Sequence, residues 1–382
     1  MKIEQSLWTQ ANGWTPQDAA SLKESAQLVL LFGATALLEG HDLLEEVKRR
    51  YPLAHLMGCS TAGEICGIHV TDDSLVTTAV HFEHTQVQGG CIRLGRMKDS
   101  FAAGEALAGL LKPEGLAHVF ILSDGLAVNG SDLVRGLMTH LPDSVTVTGG
   151  LAGDGGRFEK TLVFWDDIPE KDTIAILGLY GSGLKVGYGS LGGWDPFGPE
   201  RLITRSSGNV LYELDGQSAL ELYKKYLGDH ANGLPATGLL FPLSIRTKAG
   251  ERGVVRTILS VNEEDQSLTF AGDIPEGSYA RLMKANFDRL IDGAIGAARV
   301  SKQAIAPASA HLAICISCVG RKLVLKQRIE EEVEGVQQVL GEQTTLTGFY
   351  SYGEISPFIP GAKCELHNQT MTITILSEGE CS

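Results

Sequence analysis

Short apolar runs that end in glycine-rich loops recur three times along the chain. The first copy has an apolar run at residues 27–32, then Gly33, a helix-like polar-apolar segment at 42–50, and a second run at 54–57 ending in Gly58-Cys-Ser-Thr-Ala-Gly-Glu64. The second copy begins at residues 118–122, passes an Asn129-Gly130 turn where Ser131 or Asp132 is expected to cap a helix, and closes with residues 145–148 and Gly149-Gly-Leu-Ala-Gly-Asp154. The third begins at His311. Its helix carries Leu325, Ile329, Val333, Val336 and Leu340 at steps of four, four, three and four, and it ends in residues 344–347 and Gly348-Phe-Tyr-Ser-Tyr-Gly-Glu354. Short apolar runs bounded by turn residues predict buried strands, so each copy reads as strand, helix, strand, glycine loop. Gly58 and Gly149 are 91 residues apart and Gly149 and Gly348 are 199 apart, which excludes a fixed-period solenoid.

Between the copies the pattern turns to strands, at residues 74–82, 161–164, 173–180, 184–188, 254–261 and 267–271. The expectation is a mixed α/β fold: two related domains with mixed sheets flanked by helices and an internal strand-helix-strand-glycine-loop repeat. The Gly- and Pro-rich stretch at 192–199, followed by a new helix signal after Leu214, places the domain boundary near residue 205, giving domains 1–205 and 206–382.

Composition narrows the partners. The chain has 382 residues and a formal net charge of −14, a sign that repels phosphate backbones and argues against nucleic acid. The longest apolar stretch, residues 28–38, is about half the ~20 residues a membrane span needs. Residues 1–5 show no apolar export segment, so the expected location is the cytoplasm. Seven cysteines is too few for a disulfide scaffold. Cys315 and Cys318 have metal-like spacing, but on a strand residues i and i+3 face opposite ways, so they read as core thiols and no metal is expected.

The glycine loops are the candidate ligand-binding positions: Gly58, Ser60, Thr61, Gly63 and Glu64; Gly149, Gly150 and Asp154; Ser351, Tyr352, Gly353 and Glu354. A phosphate loop would place Lys after the second glycine, where this chain has carboxylates, which suit an ammonium or other donor while loop hydroxyls and amides hold an acidic end. The same carboxylates could instead cap helices or pair internally. Gly187-Tyr-Gly189-Ser-Leu-Gly192 matches a dinucleotide fingerprint but precedes Trp194 and Pro196 where a helix should open. Residues 58–63 miss the nucleophile elbow because Ala62 stands where its second glycine belongs. His367, Asn368 and Gln369 group donors and acceptors before the final strand and join the candidate site.

Five segments taken together, Gly58–Glu64, Gly149–Asp154, 212–216, 348–355 and 366–371, resemble the FIST (F-box and intracellular signal transduction) family, with both its N- and C-terminal domains represented. The resemblance implies a small-ligand-binding sensor that signals through a separate protein and is not an enzyme. Two ligand classes stay open. One is an amino acid or other metabolite; the other is haem, as in the nitric-oxide-sensing NosP subset that regulates a histidine kinase. Haem needs an axial ligand and an apolar slot, for which His367 and His55 are the candidates. An enzyme with Glu64 or Glu354 as general base is the remaining alternative.

Overall fold

The computed structural model describes residues 1–17, 21–247, 253–358 and 361–379, and the three sequence copies are three units of one plan. Each opens with an outer strand (Lys2–Thr9, Gln86–Arg93, Leu184–Leu191), at the sheet edge in units two and three and flanked by the short hairpin strand Gly13–Thr15 in unit one, and continues into a first parallel strand (Leu28–Gly33, Leu116–Ser123, Leu312–Cys318). A helix (Asp42–Arg50, Gly130–Met138, Ile329–Leu340) returns the chain to a second parallel strand (His55–Ser60, Thr146–Leu151, Thr345–Ser351). A closing strand (Ser74–His81, Thr173–Tyr180, Met371–Glu378) then lies antiparallel between the first parallel strand and the outer strand.

Short exchanged strands join the units. After its glycine loop, Glu64–Cys66 of unit one pairs with the second parallel strand of unit three. Gly353–Pro357 of unit three pairs with that of unit two, and Val163–Trp165 of unit two with that of unit one. The exchange closes a ring. Inside it, Leu30 and Phe32 of unit one, Phe120 and Leu122 of unit two, and Ile316 and Phe349 of unit three share one apolar cluster. The outer faces of the same strands are covered by the helices, so the strands are buried on both sides and read as continuous apolar runs.

The repeated glycine has a backbone cause. Gly58, Gly149 and Gly348 stand directly opposite Leu31, Ile121 and Cys315 across the three parallel pairs. A Cβ at each would lie 2.3, 1.9 and 1.8 Å from the carbonyl oxygen of that partner.

Between the edge strand and the long helix Phe287–Ile305 of unit three, residues 195–284 form an inserted antiparallel sheet of eight strands with its own core around helix Ala219–Leu227. The boundary placed at 205/206 falls inside its longest strand, Asp195–Ser207. Unit three itself crosses that boundary, because Leu184–Leu191 pairs with Met371–Glu378.

Local details also depart from the pattern reading. Asn129 caps its helix, accepting from the Ser131 and Asp132 amides, so the cap lies two to three residues earlier than expected. Leu325 ends a separate helix, Val319–Leu325, and a 3₁₀ turn at Lys326–Arg328 interrupts the expected continuous one. Gly187 and Gly189 lie within a strand, where a Cβ would meet the Ser301 and Ala297 carbonyls at 2.1 and 2.6 Å, so the Gly-x-Gly-x-x-Gly pattern serves close helix–strand packing. Cys315 and Cys318 are both buried in one strand, where burial pushes the Cys315 thiol up to about 12. No helix among the described residues is long and apolar enough to cross a membrane.

Candidate functional site

The three glycine loops leave the carboxyl ends of the parallel strands and meet. Loop two donates to loop one (Gly153 N to Ser60 O, 2.9 Å; Gly155 N to Thr61 O, 3.1 Å), loop one exchanges bonds with loop three (Ala62 N to Tyr350 O and Tyr350 N to Gly63 O, both 2.8 Å), and loop three donates to loop two (Tyr352 N to Leu151 O, 3.2 Å). The structure therefore brings together Gly58, Ser60, Thr61, Gly63, Glu64, Gly149, Gly150, Asp154, Ser351, Tyr352, Gly353 and Glu354, which the sequence spreads over almost 300 positions. All of them are buried.

Their polar atoms are engaged with one another. Ser60 Oγ accepts from the Leu162 amide at 2.8 Å, and Tyr352 donates its hydroxyl to Asp154, whose carboxylate also accepts from the amides of Phe158, Glu159 and Lys160. Gly150 leaves room for Ile316, since a Cβ there would fall 2.8 Å from its Cγ2. Glu64 and Glu354 occupy equivalent places. In each, Oε1 faces a loop hydroxyl (Thr61, and Ser351 at 2.6 Å). Oε2 accepts from the amide and hydroxyl that begin the closing strand: Ser74 at 3.2 and 2.6 Å, and Thr370 at 3.1 and 2.9 Å. Ser74 and Thr370 were not singled out from the sequence; their common place at the start of two equivalent strands is the only signal they give.

Burial pushes Glu64 up to about 7 and Glu354 up to about 8, against the bonds from their hydroxyl and amide partners, so the fold favours the protonated carboxyls. The geometry accepts the proton on Oε1, because a hydroxyl can turn to accept it whereas the amide facing Oε2 cannot. An acid with a raised folded-state pKa contributes stability below its unfolded value near 4.5, and that contribution is lost as pH rises through 7 to 8. Stability should therefore fall between about pH 5 and pH 8.5, by on the order of 2 kcal/mol per site. Glutamine can donate from the Oε1 position and accept at the other, so a Glu64→Gln, Glu354→Gln double variant should show a flatter profile. Urea titration at both pH values checks this, and an unchanged slope would refute it.

The two histidines lie in different surroundings. His367 is buried, its Nε2 2.8 Å from the Ser356 carbonyl and its ring edge-on to Phe358 at 5.3 Å. His55 stands at the surface with its side chain 44% exposed, its Nδ1 2.6 Å from Asp166 and its ring stacked on Trp165 at 5.1 Å. One ring is closed in by protein and the other is open to solvent. Asn368 and Gln369 are buried beside His367; their amide nitrogens reach the Tyr352 and Leu239 carbonyls, while Asn368 Oδ1 and Gln369 Oε1 have no partner among the described residues. The described residues contain no cluster of side chains suited to hold a metal ion.

Open space lies elsewhere. A cavity of about 230 Å³ separates helix Gly130–Met138 of unit two from the inserted strands Leu243–Arg246 and Val254–Arg256, with strand Cys364–His367 as its floor. Arg256 is buried against it. Its Nη1 donates to the Leu366 carbonyl at 2.8 Å and its Nε to the Asp273 carbonyl at 3.3 Å. Burial pulls the guanidinium down to about 10, opposed by the nearby Glu365 and Asp273 charges. Nothing in the sequence pointed to this place: a lone Arg in a strand pattern reads as a solvated position, and only the sheet's packing turns it inward.

The FIST N domain matches residues 27–217 and the FIST C domain residues 219–357. An uncharacterized protein of Methanocaldococcus jannaschii, MJ1623, is 24% identical over 341 aligned positions that take in 80% of this chain and 62% of the relative, so the chain spans less than two thirds of that relative's length. Among solved structures, a chorismatase is similar over 98% of both chains at 10% identity with a TM-score of 0.35. A cyanuric acid hydrolase from A. caulinodans is similar over 99% of both chains, also at 10% identity, with a TM-score of 0.36.

Proposed function

The chain belongs to the FIST family, sensory domains that bind small ligands in signal transduction, and on that premise we propose that it senses a small metabolite in the cavity between the repeat ring and the inserted sheet. One observation carries this reading: the walls of that cavity come from both domains, helix Gly130–Met138 from the first and strands Leu243–Arg246 and Val254–Arg256 from the second. A ligand that fits one placement of the inserted sheet better than another shifts the balance between them, and that differential affinity is the signal. The recipient would be a separate signalling protein in the cytoplasm, with a histidine kinase as the specific proposal. An enzyme built on Glu64 or Glu354 is disfavoured, because the hydroxyls and amides around each carboxylate occupy the positions a substrate would need.

Hydrogen exchange and thermal unfolding of the whole chain across a metabolite panel test the proposal. At a hundredfold excess over Kd a ligand adds about 2.7 kcal/mol. It should raise the melting temperature by a few degrees and slow exchange together in helix 130–138 and strands 243–246 and 254–256. A panel that leaves both measurements unchanged would defeat the reading. Protection confined to residues outside these elements would defeat this placement of the site.

A further inference from the structure

We infer that the cavity at Arg256 is a site for a small aliphatic carboxylate, with Arg256 and Ser131 as its two polar contacts; this rests on the sensor reading above. Arg256 is the first ground. It is 8% exposed, and among the described residues no carboxylate oxygen lies within the 4 Å of an ion pair; its bonds are to two main-chain carbonyls, and Nη2 has no hydrogen-bond partner. Asp273 and Glu365 stand near it without forming an ion pair, so the buried charge is only partly compensated, and a planar guanidinium with an open nitrogen matches a carboxylate oxygen. The space around it is kept clear: at Gly272 a Cβ would fall 2.9 Å from Arg256 Nε and 3.0 Å from Cζ.

Ser131 is the second ground and is independent of the first. It lines the same cavity from the opposite wall, and its Oγ is buried without a partner among the described residues. A ligand oxygen placed between the two would give the buried Ser131 hydroxyl a partner and accept from the open guanidinium nitrogen, and an unmet buried hydroxyl otherwise costs about 1–3 kcal/mol. The remaining walls define the body of the ligand. Val134, Ile245, Val254, Pro275 and Leu366 supply an apolar surface beside Arg135, Thr247 and Cys364, and about 230 Å³ accommodates on the order of eight water-sized groups, the size of a branched C5 to C6 acid. Asp273 and Glu365 at the cavity, the first already shared with Arg135 at 3.7 Å, disfavour a dianion such as phosphate more than a single carboxylate.

Two sources share this chemistry, a plain branched-chain acid and an α-amino acid, and Glu365 is the group that would tell them apart by receiving an ammonium. The test is calorimetric titration of the full chain with 4-methylpentanoate, leucine and the neutral 4-methylpentanamide. The expected result is binding of at least one acid, with the amide at least tenfold weaker. Arg256→Met should weaken the acid at least thirtyfold and Ser131→Ala about three- to tenfold. Tighter binding of leucine, with the advantage erased by Glu365→Gln, would identify the amino acid as the source; equal or weaker binding would identify the plain acid. Should Arg256→Met fail to fold, the acid-to-amide ratio and Ser131→Ala decide. Equal affinity for acid and amide, or affinity unchanged by these variants, overturns the inference. Failure of every acid at millimolar concentration while another metabolite binds and protects the same elements also overturns it, and leaves the sensor reading standing.

Discussion

Gly348→Ala is expected to leave no stably folded protein, and Gly149→Ala and Gly58→Ala to destabilise it by more than about 4 kcal/mol. Losses of that size are diagnostic of a specific steric or buried polar defect. The cause is not lost flexibility. Each glycine lies opposite a residue of the neighbouring parallel strand, and the missing Cβ would penetrate that residue's carbonyl oxygen, at 1.8 Å for Gly348 and 1.9 Å for Gly149. The obstacle is main chain, which cannot turn aside as a side chain can. Separating the strands enough to fit a methyl group would break the parallel ladder and open the apolar cluster beneath it. Gly156→Ala and Gly95→Ala are the controls, because a Cβ at either meets nothing within 4 Å and neither backbone is left-handed. They should fall within about 0.5 kcal/mol of the wild type, in the range of ordinary surface changes. Soluble yield and urea midpoints measure the series. A Gly348→Ala protein with a wild-type midpoint would show that the strand approach is looser than described.

The second large effect is expected at Arg321 and Glu332, whose side chains are fully buried and paired at 2.7 Å. Arg321 also donates to the Gly192 and Leu290 carbonyls at 2.8 and 2.7 Å. Glu332 accepts from the Tyr350 hydroxyl at 2.6 Å and the Ser317 hydroxyl at 3.1 Å. The network ties the third unit's strands and core helix to the point where the inserted sheet leaves and the long helix returns. Removing one partner strands the other charge, which costs about 3–5 kcal/mol. Arg321→Met and Glu332→Leu should each lose that much alone, while the double variant should lose clearly less than the sum, because no charge is left unpaired. A double-mutant cycle by urea denaturation measures the coupling. Additive losses would mean that the two groups do not depend on each other for desolvation.

The glycine ring and its carboxylates were legible in the sequence because their cause is local. The apolar runs of 28–32, 118–122 and 312–318 had to be strands, and Gly58, Gly149 and Gly348 recur because each sits at the same strand approach. The positions of Thr61, Glu64, Ser351 and Glu354 relative to those glycines were legible for the same reason, and so was the family. What the loops do with their neighbours was not: the shared motif left ligand binding and internal pairing equally open, and in the fold the three loops hydrogen-bond to one another and enclose their own carboxylates. Edge strands such as Gln86–Arg93, with two glycines and a mixed pattern, carry too weak a periodicity to be read in advance.

By itself, then, the sequence determined the repeated unit, the strand and helix types within it, the net negative charge and the family, all of which follow from residues close together along the chain. The tertiary structure decided the cyclic exchange of short strands, the burial of Glu64 and Glu354, the surface position of His55, and the placing of Ser131 and Arg256, 125 positions apart, in the lining of one cavity. Pairing and burial depend on which distant surfaces meet, and spacing along one chain does not encode that. A lone arginine in a strand becomes a candidate ligand contact only when folding removes most of its water and leaves it bonded to main-chain carbonyls without an ion pair.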